Sequence, residues 1–255
     1  MANRYFEPGA QRAAKVNDLF TAIAPRYDLV NDLQSFGLHR YWKRRLLRLA
    51  QVEPGQRSLD LCCGTGDLAF AFARRGAHAV GLDFSLAMLR VALTRRDTRA
   101  RRVSKPRAGA ASGIPAPRLP AFLRGDALRI PFPENTFDAV TIGYGLRNLA
   151  DFSGGLREMW RVAKPGGRIL VLDFGKPDNR VWRSLYFVYL RRLVPIFGRL
   201  FGGDEAAYGY ILESLQAYPA QRGVAAEMRA LKCANIRIIN LLGGMMSINY
   251  GEKRQ

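Results

Sequence analysis

Apolar residues in the first fifty positions recur at helical spacing. Val16, Leu19, Phe20 and Ile23 would share one helix face, and Trp42, Leu46 and Leu49 another, with a polar and aromatic stretch over 25–39 between them. From Arg57 the pattern changes to short apolar runs alternating with helical stretches. Residues 58–62, 79–82, 139–142 and 168–172 read as strands, and 67–75, 85–96 and 152–162 as helices, with Ser85 as an N-cap. Strands alternating with helices imply an α/β fold with a mostly parallel sheet covered on both faces. The stretch 97–120 interrupts the rhythm: it is rich in Arg, Ala, Gly, Ser and Pro and reads as a mobile basic surface insertion. Beyond Pro177 the chain reads as helical, with Pro195 starting a second helical piece. Two strand-like runs, 236–240 and 245–250, meet around Gly243-Gly244 as a closing hairpin.

A length of 255 residues suits one domain. Charge is what stands out: 40 Lys+Arg against 21 Asp+Glu, a formal net charge of +19, which favours polyanions such as nucleic acid or an anionic membrane. Three cysteines (Cys62, Cys63, Cys233) show no C-x-x-C spacing, and reduced thiols in a cytosolic protein are the simplest account. The first eight residues have no apolar core, so no signal peptide is expected, and no apolar run is long enough to span a bilayer.

The strongest local signal is Leu59-Asp60-Leu61-Cys62-Cys63-Gly64-Thr65-Gly66-Asp67: a buried strand, a glycine turn, then a helix whose first N–H groups are free to meet a ligand. Gly64-x-Gly66-x-x-Ala69 alone also passes as a dinucleotide fingerprint, leaving an NAD-dependent oxidoreductase open. Asp83 ends the second strand, where a carboxylate can accept both ribose hydroxyls of either cofactor. Gly125-Asp126-Ala127, followed by Pro131-Phe132, places an acidic residue after the third strand, where class I methyltransferases hold the adenine amino group.

These pieces resemble the class I, Rossmann-like S-adenosylmethionine methyltransferases. The match extends to the ubiquinone/menaquinone biosynthesis C-methyltransferase family over nearly the whole chain except 97–120. Its carriers are Val16-x-x-Leu19-Phe20-x-x-Ile23-Ala24-x-Arg26-Tyr27-Asp28-x-x-Asn31-Asp32, then Ser35-Phe36-Gly37-x-His39-Arg40-x-Trp42-Lys43. Gly145-Leu146-Arg147-Asn148, Lys164-Pro165-Gly166-Gly167 with Leu172-Asp173-Phe174, and Tyr208-x-Tyr210-x-x-Glu213-Ser214 with Pro219-x-Gln221 follow, and Asn240-Leu241-x-Gly243-Gly244 closes the set. The resemblance implies a seven-stranded sheet ending in an antiparallel hairpin, within a single methyltransferase domain over 1–255. That domain would carry a helical lid segment at 1–50, the insertion at 97–120, and a helical substrate- and membrane-facing segment at 178–232. It implies S-adenosylmethionine as cofactor, with Gly64, Thr65 and Gly66 lining its methionine end, Asp83 at the ribose, Asp126 and Ala127 at the adenine, and Asp60 and Gly143 as further cofactor-binding residues. Gly143 stands where some relatives carry Ser, which removes a side-chain contact. Lys232-Cys233-Ala234-Asn235 lacks the family's Ala-Gly-Phe turn, so the last strands are expected to be slightly displaced.

C-methylation of a prenylated quinol, with demethylmenaquinol favoured, needs alignment, a site for phenolate charge and a route for a proton, and no metal. Arg147, Asn148, Tyr27 and His39 are the candidate catalytic residues, with Asp28 and Asn31 beside them. Arg147 can stabilise an oxyanion; its competing role is to pair with a carboxylate and hold the loop after the fourth strand. Neither Cys62 nor Cys63 is assigned a catalytic role. Trp182, Leu185, Tyr189, Leu193, Ile196 and Leu200 recur at helical spacing among arginines, which suits peripheral contact with an anionic membrane. The commoner account of such spacing is a core-facing amphipathic helix. A methyltransferase acting on RNA or another small molecule is the rival that the charge invites. The chain shows no Asn/Asp-Pro-Pro-Tyr or Pro-Cys motif and no aromatics among the basics of 97–120, so no nucleic-acid partner is expected. A bacterial cytoplasmic enzyme, placed at the inner face of the cell membrane and compatible with a homodimer, is the expectation.

Overall fold

The computed structural model describes residues 11–24, 27–103, 118–197 and 205–255. Three helices come first: α1 (Arg12–Ile23), α2 (Tyr27–Gln34) and α3 (Leu38–Ala50). An alternating series follows: β1 (Arg57–Leu61), α4 (Asp67–Ala73), β2 (His78–Asp83), α5 (Leu86–Val103), β3 (Ala121–Arg124), β4 (Phe137–Gly143), α6 (Phe152–Val162) and β5 (Ala163–Phe174). Helices α7 (Arg180–Phe197), α8 (Glu205–Ala217) and α9 (Ala220–Ala230) lead to the closing strands β6 (Ala234–Leu241) and β7 (Met246–Glu252).

The sheet runs β3-β2-β1-β4-β5-β7-β6, with β7 antiparallel to both of its neighbours. Period-2 alternation explains why both faces are covered. Val140 and Ile142, like Ile169 and Val171, point into one apolar core, whereas Ala139, Leu170 and Leu172 point into the other beneath α3 and α4. Strand order reverses between β1 and β4, and the crevice beyond their carboxyl ends is where open α/β sheets bind ligands.

Several local expectations are corrected. Helix α5 continues to Val103, seven residues into the stretch read as an insertion; residues 104–117 lie outside the described residues. The polar stretch over 25–39 contains a helix of its own, α2. Helix α7 runs through Pro195 rather than restarting there. Leu200 lies outside the described residues. Ser85 does accept the first helical bond, from Leu89 N–H, but its hydroxyl caps nothing. The Asp83 carboxylate takes the Ser85 N–H instead, at 2.8 Å. At the entry to β6, where no glycine turn is available, Lys232 before the strand and Asn235 in its first residues adopt left-handed φ of +57° and +52°, and the β6–β7 pairing slips between Ala234 and Arg237.

Candidate active site

The turn after β1 is shaped by glycines with left-handed φ, Gly64 and Gly66, of which Gly66 is the sterically restricted one. Gly66 has φ +85°, and a Cβ there would lie 2.6 Å from the Phe122 ring. Asp83, at the end of β2, bolts the turn down: its Oδ2 accepts the Gly64 N–H at 2.7 Å. Burial pushes the Asp83 pKa up, against the backbone N–H groups that favour its charge. Around the turn lies a charged clamp. Thr65 Oγ1 donates to Asp28 at 2.9 Å, Arg95 reaches Asp28 at 3.0 Å and Asp67 at 2.8 Å, and Lys43 reaches Asp67 at 2.9 Å. Asp28 thus ties α2 onto the glycine turn.

A cavity of about 100 Å³ opens beside this turn. Gly64, Asp83, Asp126, Ala127, Gly143 and Asn148 all line it, so six residues from four separate chain segments converge on one wall. Asp60, Thr65 and Gly66 lie off that wall. Asp60 points into the sheet interior, where Thr141 Oγ1 is 3.3 Å away, and burial raises its pKa to about 7 despite Lys43, Thr141 and the Ala69 N–H. Thr65 has turned its hydroxyl to Asp28, and Gly66 packs under Phe122. Two buried polar atoms on the wall, Ser85 Oγ and Asn148 Oδ1, have no partner among the described residues. Such atoms are costly unless a ligand pairs with them, so the wall fits a polar nucleoside cofactor. Cys62 also lines it, and burial followed by nearby carboxylates pushes its thiol pKa well up, as for Cys63; both are free thiols.

A second cavity of about 270 Å³ adjoins the first, and Phe20, Tyr27 and Tyr144 belong to both walls. Its lining is largely apolar, drawn from α1 (Leu19, Ile23), α3 (Trp42), α7 (Tyr186, Leu190) and the last turn (Met245, Met246). Four polar side chains singled out from sequence face it: Tyr27, Asn31, His39 and Arg147. Burial raises the Tyr27 pKa, against Lys43 and Arg147, so the phenol keeps its proton and can donate.

Arg147 sits in a short 3-10 turn, Leu146–Asn148, after β4. Its Nη1 donates to Asp173 Oδ1 at 2.7 Å and to the Tyr144 carbonyl at 2.6 Å, and its backbone N–H meets Asp173 Oδ2 at 3.1 Å. The guanidinium lies over the Phe174 ring at 4.6 Å, and the two charged side chains are only 7% and 2% exposed. Burial opposes the Arg147 charge, but Asp173 outweighs it and the pKa is raised. The pairing role weighed for Arg147 is therefore present, and the side chain faces the apolar cavity as well. Its Nε–H has no partner among the described residues.

His39 shows a proton arrangement that can be worked out. Ser35 Oγ is 2.6 Å from the Asn31 carbonyl, which takes its single proton, and 2.8 Å from His39 Nδ1. Having no second proton to give, Ser35 accepts from Nδ1–H, which leaves Nε2 as the unprotonated nitrogen. Asp32, held by Arg40 at 2.7 Å, lies 3.6 Å from the same Nδ1. Burial first, then Lys43, lowers the His39 pKa, against Asp32 and Asp67. Sequence reasoning placed Ser35 and Asp173 in motifs but not at the site. For Ser35 the i, i+4 spacing to His39 was an available signal; for Asp173 there was none.

A protein-family model described as the ubiE/COQ5 methyltransferase family matches residues 9–253. "Ubiquinone/menaquinone biosynthesis C-methyltransferase UbiE" of Cellvibrio japonicus is 38% identical over 249 residues, covering 96% of this chain and 94% of that protein. "Demethylmenaquinone methyltransferase" of Thermus thermophilus is 40% identical over 237 residues, covering 92% of this chain and 100% of its own. In fold, a SAM-dependent methyltransferase from Aquifex aeolicus superposes with a TM-score of 0.56 at 15% identity, over 89% of this chain and 97% of that one.

Proposed function

Because this chain belongs to the ubiE/COQ5 methyltransferase family, we propose that it transfers the methyl group of S-adenosylmethionine to a ring carbon of a prenylated quinol, with demethylmenaquinol as the favoured acceptor. The observation that carries this reading is the shared wall of the two cavities. A cavity lined by Asp83 and Asp126, with the unpartnered Ser85 Oγ and Asn148 Oδ1 on its wall, meets a second cavity across Phe20, Tyr27 and Tyr144. When bound, the cofactor supplies an electrophilic methyl on a sulfonium.

The protein's own residues do the rest. Asp83 takes the ribose, Asp126 and Ala127 the adenine, and Gly64 lets the backbone approach the methionine end. Aromatic and aliphatic walls exclude water and hold the acceptor ring against the shared wall. His39 Nε2 receives the proton of a quinol hydroxyl. Tyr27 O–H and the Arg147 guanidinium donate to the oxygen as charge builds on it, and Asn148 orients groups at the junction. The ring carbon gains the methyl as the methyl's bond to the sulfonium sulfur breaks; the ring carbon then loses its own proton to the medium, and His39 returns its proton to the ring oxygen.

A prenylated substrate dissolves in bilayers, and the outer face of the protein beside the apolar cavity suits one. Val181, Trp182, Leu185, Val188, Leu193 and Ile196 on α7 are exposed, as are Leu242 and Phe36, the last by 77%. Tyr189 belongs to the other side of the helix, with its hydroxyl bonded to the Gln34 carbonyl at 2.9 Å. Among the described residues no helix is long and apolar enough to cross a membrane. Contact at the surface, with this apolar face inserted and the α7 arginines on anionic headgroups, is the reading these residues support.

The test is to titrate purified protein with S-adenosylmethionine and with NAD, then assay methylation of demethylmenaquinol in vesicles by mass spectrometry. Saturable binding of S-adenosylmethionine alone and a product heavier by one methylene are expected. Absence of that product, with demethylated benzoquinol turned over instead, would move the substrate class. NAD binding in place of S-adenosylmethionine would overturn the reading.

A further inference from the structure

Just after β4, between Gly143 and Gly145, stands a tyrosine in a conformation that suits glycine. Tyr144 has φ +63°, in the left-handed region where a Cβ crowds the backbone and a bulky residue is an outlier. The bend has a use: the Tyr144 carbonyl accepts from Arg147 Nη1 at 2.6 Å and from Asn148 Nδ2 at 3.2 Å. Glycine would supply the same bend without strain, so what this position gains from tyrosine is its side chain.

That side chain carries a second cost. The Tyr144 hydroxyl is buried and has no partner among the described residues. Burial, supported by Tyr27 and Asp173, pushes its pKa well up against Arg147, so the phenol holds its proton and is a donor. The ring is fixed from two sides. It lies edge-on to Phe174 with centroids 6.1 Å apart, and the Lys43 ammonium is 5.9 Å from its centre. It also belongs to the wall shared by the cofactor cavity and the apolar one. A strained backbone and an unsatisfied hydroxyl meet at the junction where a methyl group would cross, and a bound acceptor can offset both costs.

The target of this donor follows from lone pairs, given the methyl-transfer reading on which it rests. A quinol bears two ring oxygens. The one beside the methylated carbon gives its proton to His39 and accepts from Tyr27 and Arg147, which fills both lone pairs of a hydroxyl. The second oxygen, para to it, has no partner among those three residues. We propose that Tyr144 is a specificity-determining residue whose hydroxyl donates to this second ring oxygen, so that the site selects a two-oxygen quinol over a phenol with one. A phenol would leave the buried Tyr144 hydroxyl unpaired, and that is what rejects it. Gln34 Nε2 is another buried donor on the apolar cavity without a partner among the described residues, which makes it the rival for the same oxygen. Tyr144 is favoured because it lies on the wall shared with the cofactor cavity, where the reacting ring is held, whereas Gln34 lines the apolar cavity alone.

The test compares two acceptors at saturating S-adenosylmethionine: demethylmenaquinol with a short prenyl chain, and the analogue lacking the ring hydroxyl para to the activated one. The variant is Tyr144→Phe, which keeps the ring and the backbone and removes only the oxygen. For the quinol, kcat/KM should fall about tenfold, the scale of one neutral hydrogen bond. For the analogue it should stay within about twofold, so the preference for two oxygens collapses. Intrinsic ring reactivity is the same with either protein and cancels in that ratio. Ligand-free Tyr144→Phe should melt about 2–4 °C higher, because an unpaired buried hydroxyl has been removed. A packing role for the hydroxyl cannot move stability and activity in opposite directions.

Equal loss on both acceptors, loss on neither, or a lower Tm would overturn the proposal. So would a preference that survives in Tyr144→Phe and disappears in Gln34→Leu, which would give the oxygen to Gln34. Wild-type protein that binds S-adenosylmethionine but methylates neither acceptor would instead refute the quinol reading itself, and this proposal with it.

Discussion

Replacing Asp173 by Asn tests the buried ion pair at the heart of the site. The carboxylate accepts from Arg147 Nη1 at 2.7 Å, from the Arg147 backbone at 3.1 Å and from the Phe174 N–H at 2.8 Å. Asparagine keeps the shape and one acceptor oxygen but removes the counter-charge, leaving a buried guanidinium uncompensated. Losing one partner of a buried pair costs about 3–5 kcal/mol, and the retained oxygen favours the lower end. For a chain of this size each kcal/mol shifts Tm by roughly 2–4 °C, so a fall of about 6–12 °C is expected. Thermal unfolding followed by circular dichroism would measure it, and the fall should persist in high salt because buried pairs are weakly screened. Two companion variants divide structure from catalysis. Arg147→Met should destabilise similarly and lower turnover by about a hundredfold, the scale for one preorganised oxyanion donor. Arg147→Met combined with Asp173→Leu removes both charges and should recover much of the stability without recovering turnover. A fall below about 2 °C in Asp173→Asn would refute the buried pair. Turnover restored in the double variant would remove Arg147 from the chemistry.

Asp83→Asn should weaken S-adenosylmethionine binding about tenfold to a hundredfold by calorimetry, the scale of a charge-assisted hydrogen bond; unchanged affinity would place the ribose elsewhere. For His39, burial and Lys43 set its pKa below the ordinary 6.5, so kcat should be flat at neutral pH and fall on the acid side as Nε2 takes a proton. His39→Gln should lower kcat and abolish that acid limb, and Ser35→Ala should lower kcat with KM little changed by freeing the ring tautomer; an acid limb that survives His39→Gln would exclude it as the base. Asp60 titrates at about 7 when folded against an ordinary 3.8, so the folded state holds the extra proton and stability drains away as pH rises through that window, levelling above it. Against Asp60→Asn, which has no such proton, wild-type stability from urea unfolding should lose up to about 4 kcal/mol between acid and neutral pH; parallel curves would show the carboxyl is solvated.

Much of this protein was determined by sequence alone, because it depends on contacts between near neighbours. Short apolar runs marked β1, β2, β4 and β5, and the glycine spacing marked the turn before α4, since backbone conformation there is set within a few residues. Asp83, Asp126 and Gly143 could be placed at one crevice because each closely follows or ends a parallel strand, and strand ends in such sheets meet. The i, i+4 bond between Ser35 and His39 is local in the same sense. Tertiary structure decided the rest. Asp60 and Thr65 sit within the glycine motif, yet their side chains turned to Thr141 and Asp28, partners supplied by distant segments. The apolar cavity is assembled from α1, α3, α7 and the turn before β7, no two of which announce one another in sequence. Arg147 owes its pose to a carboxylate 26 residues away on β5, brought near by parallel pairing with β4. Sequence periodicity says which face of an element is buried; only packing says which partner it is buried against, because desolvation makes a buried charge depend on the single group opposite it.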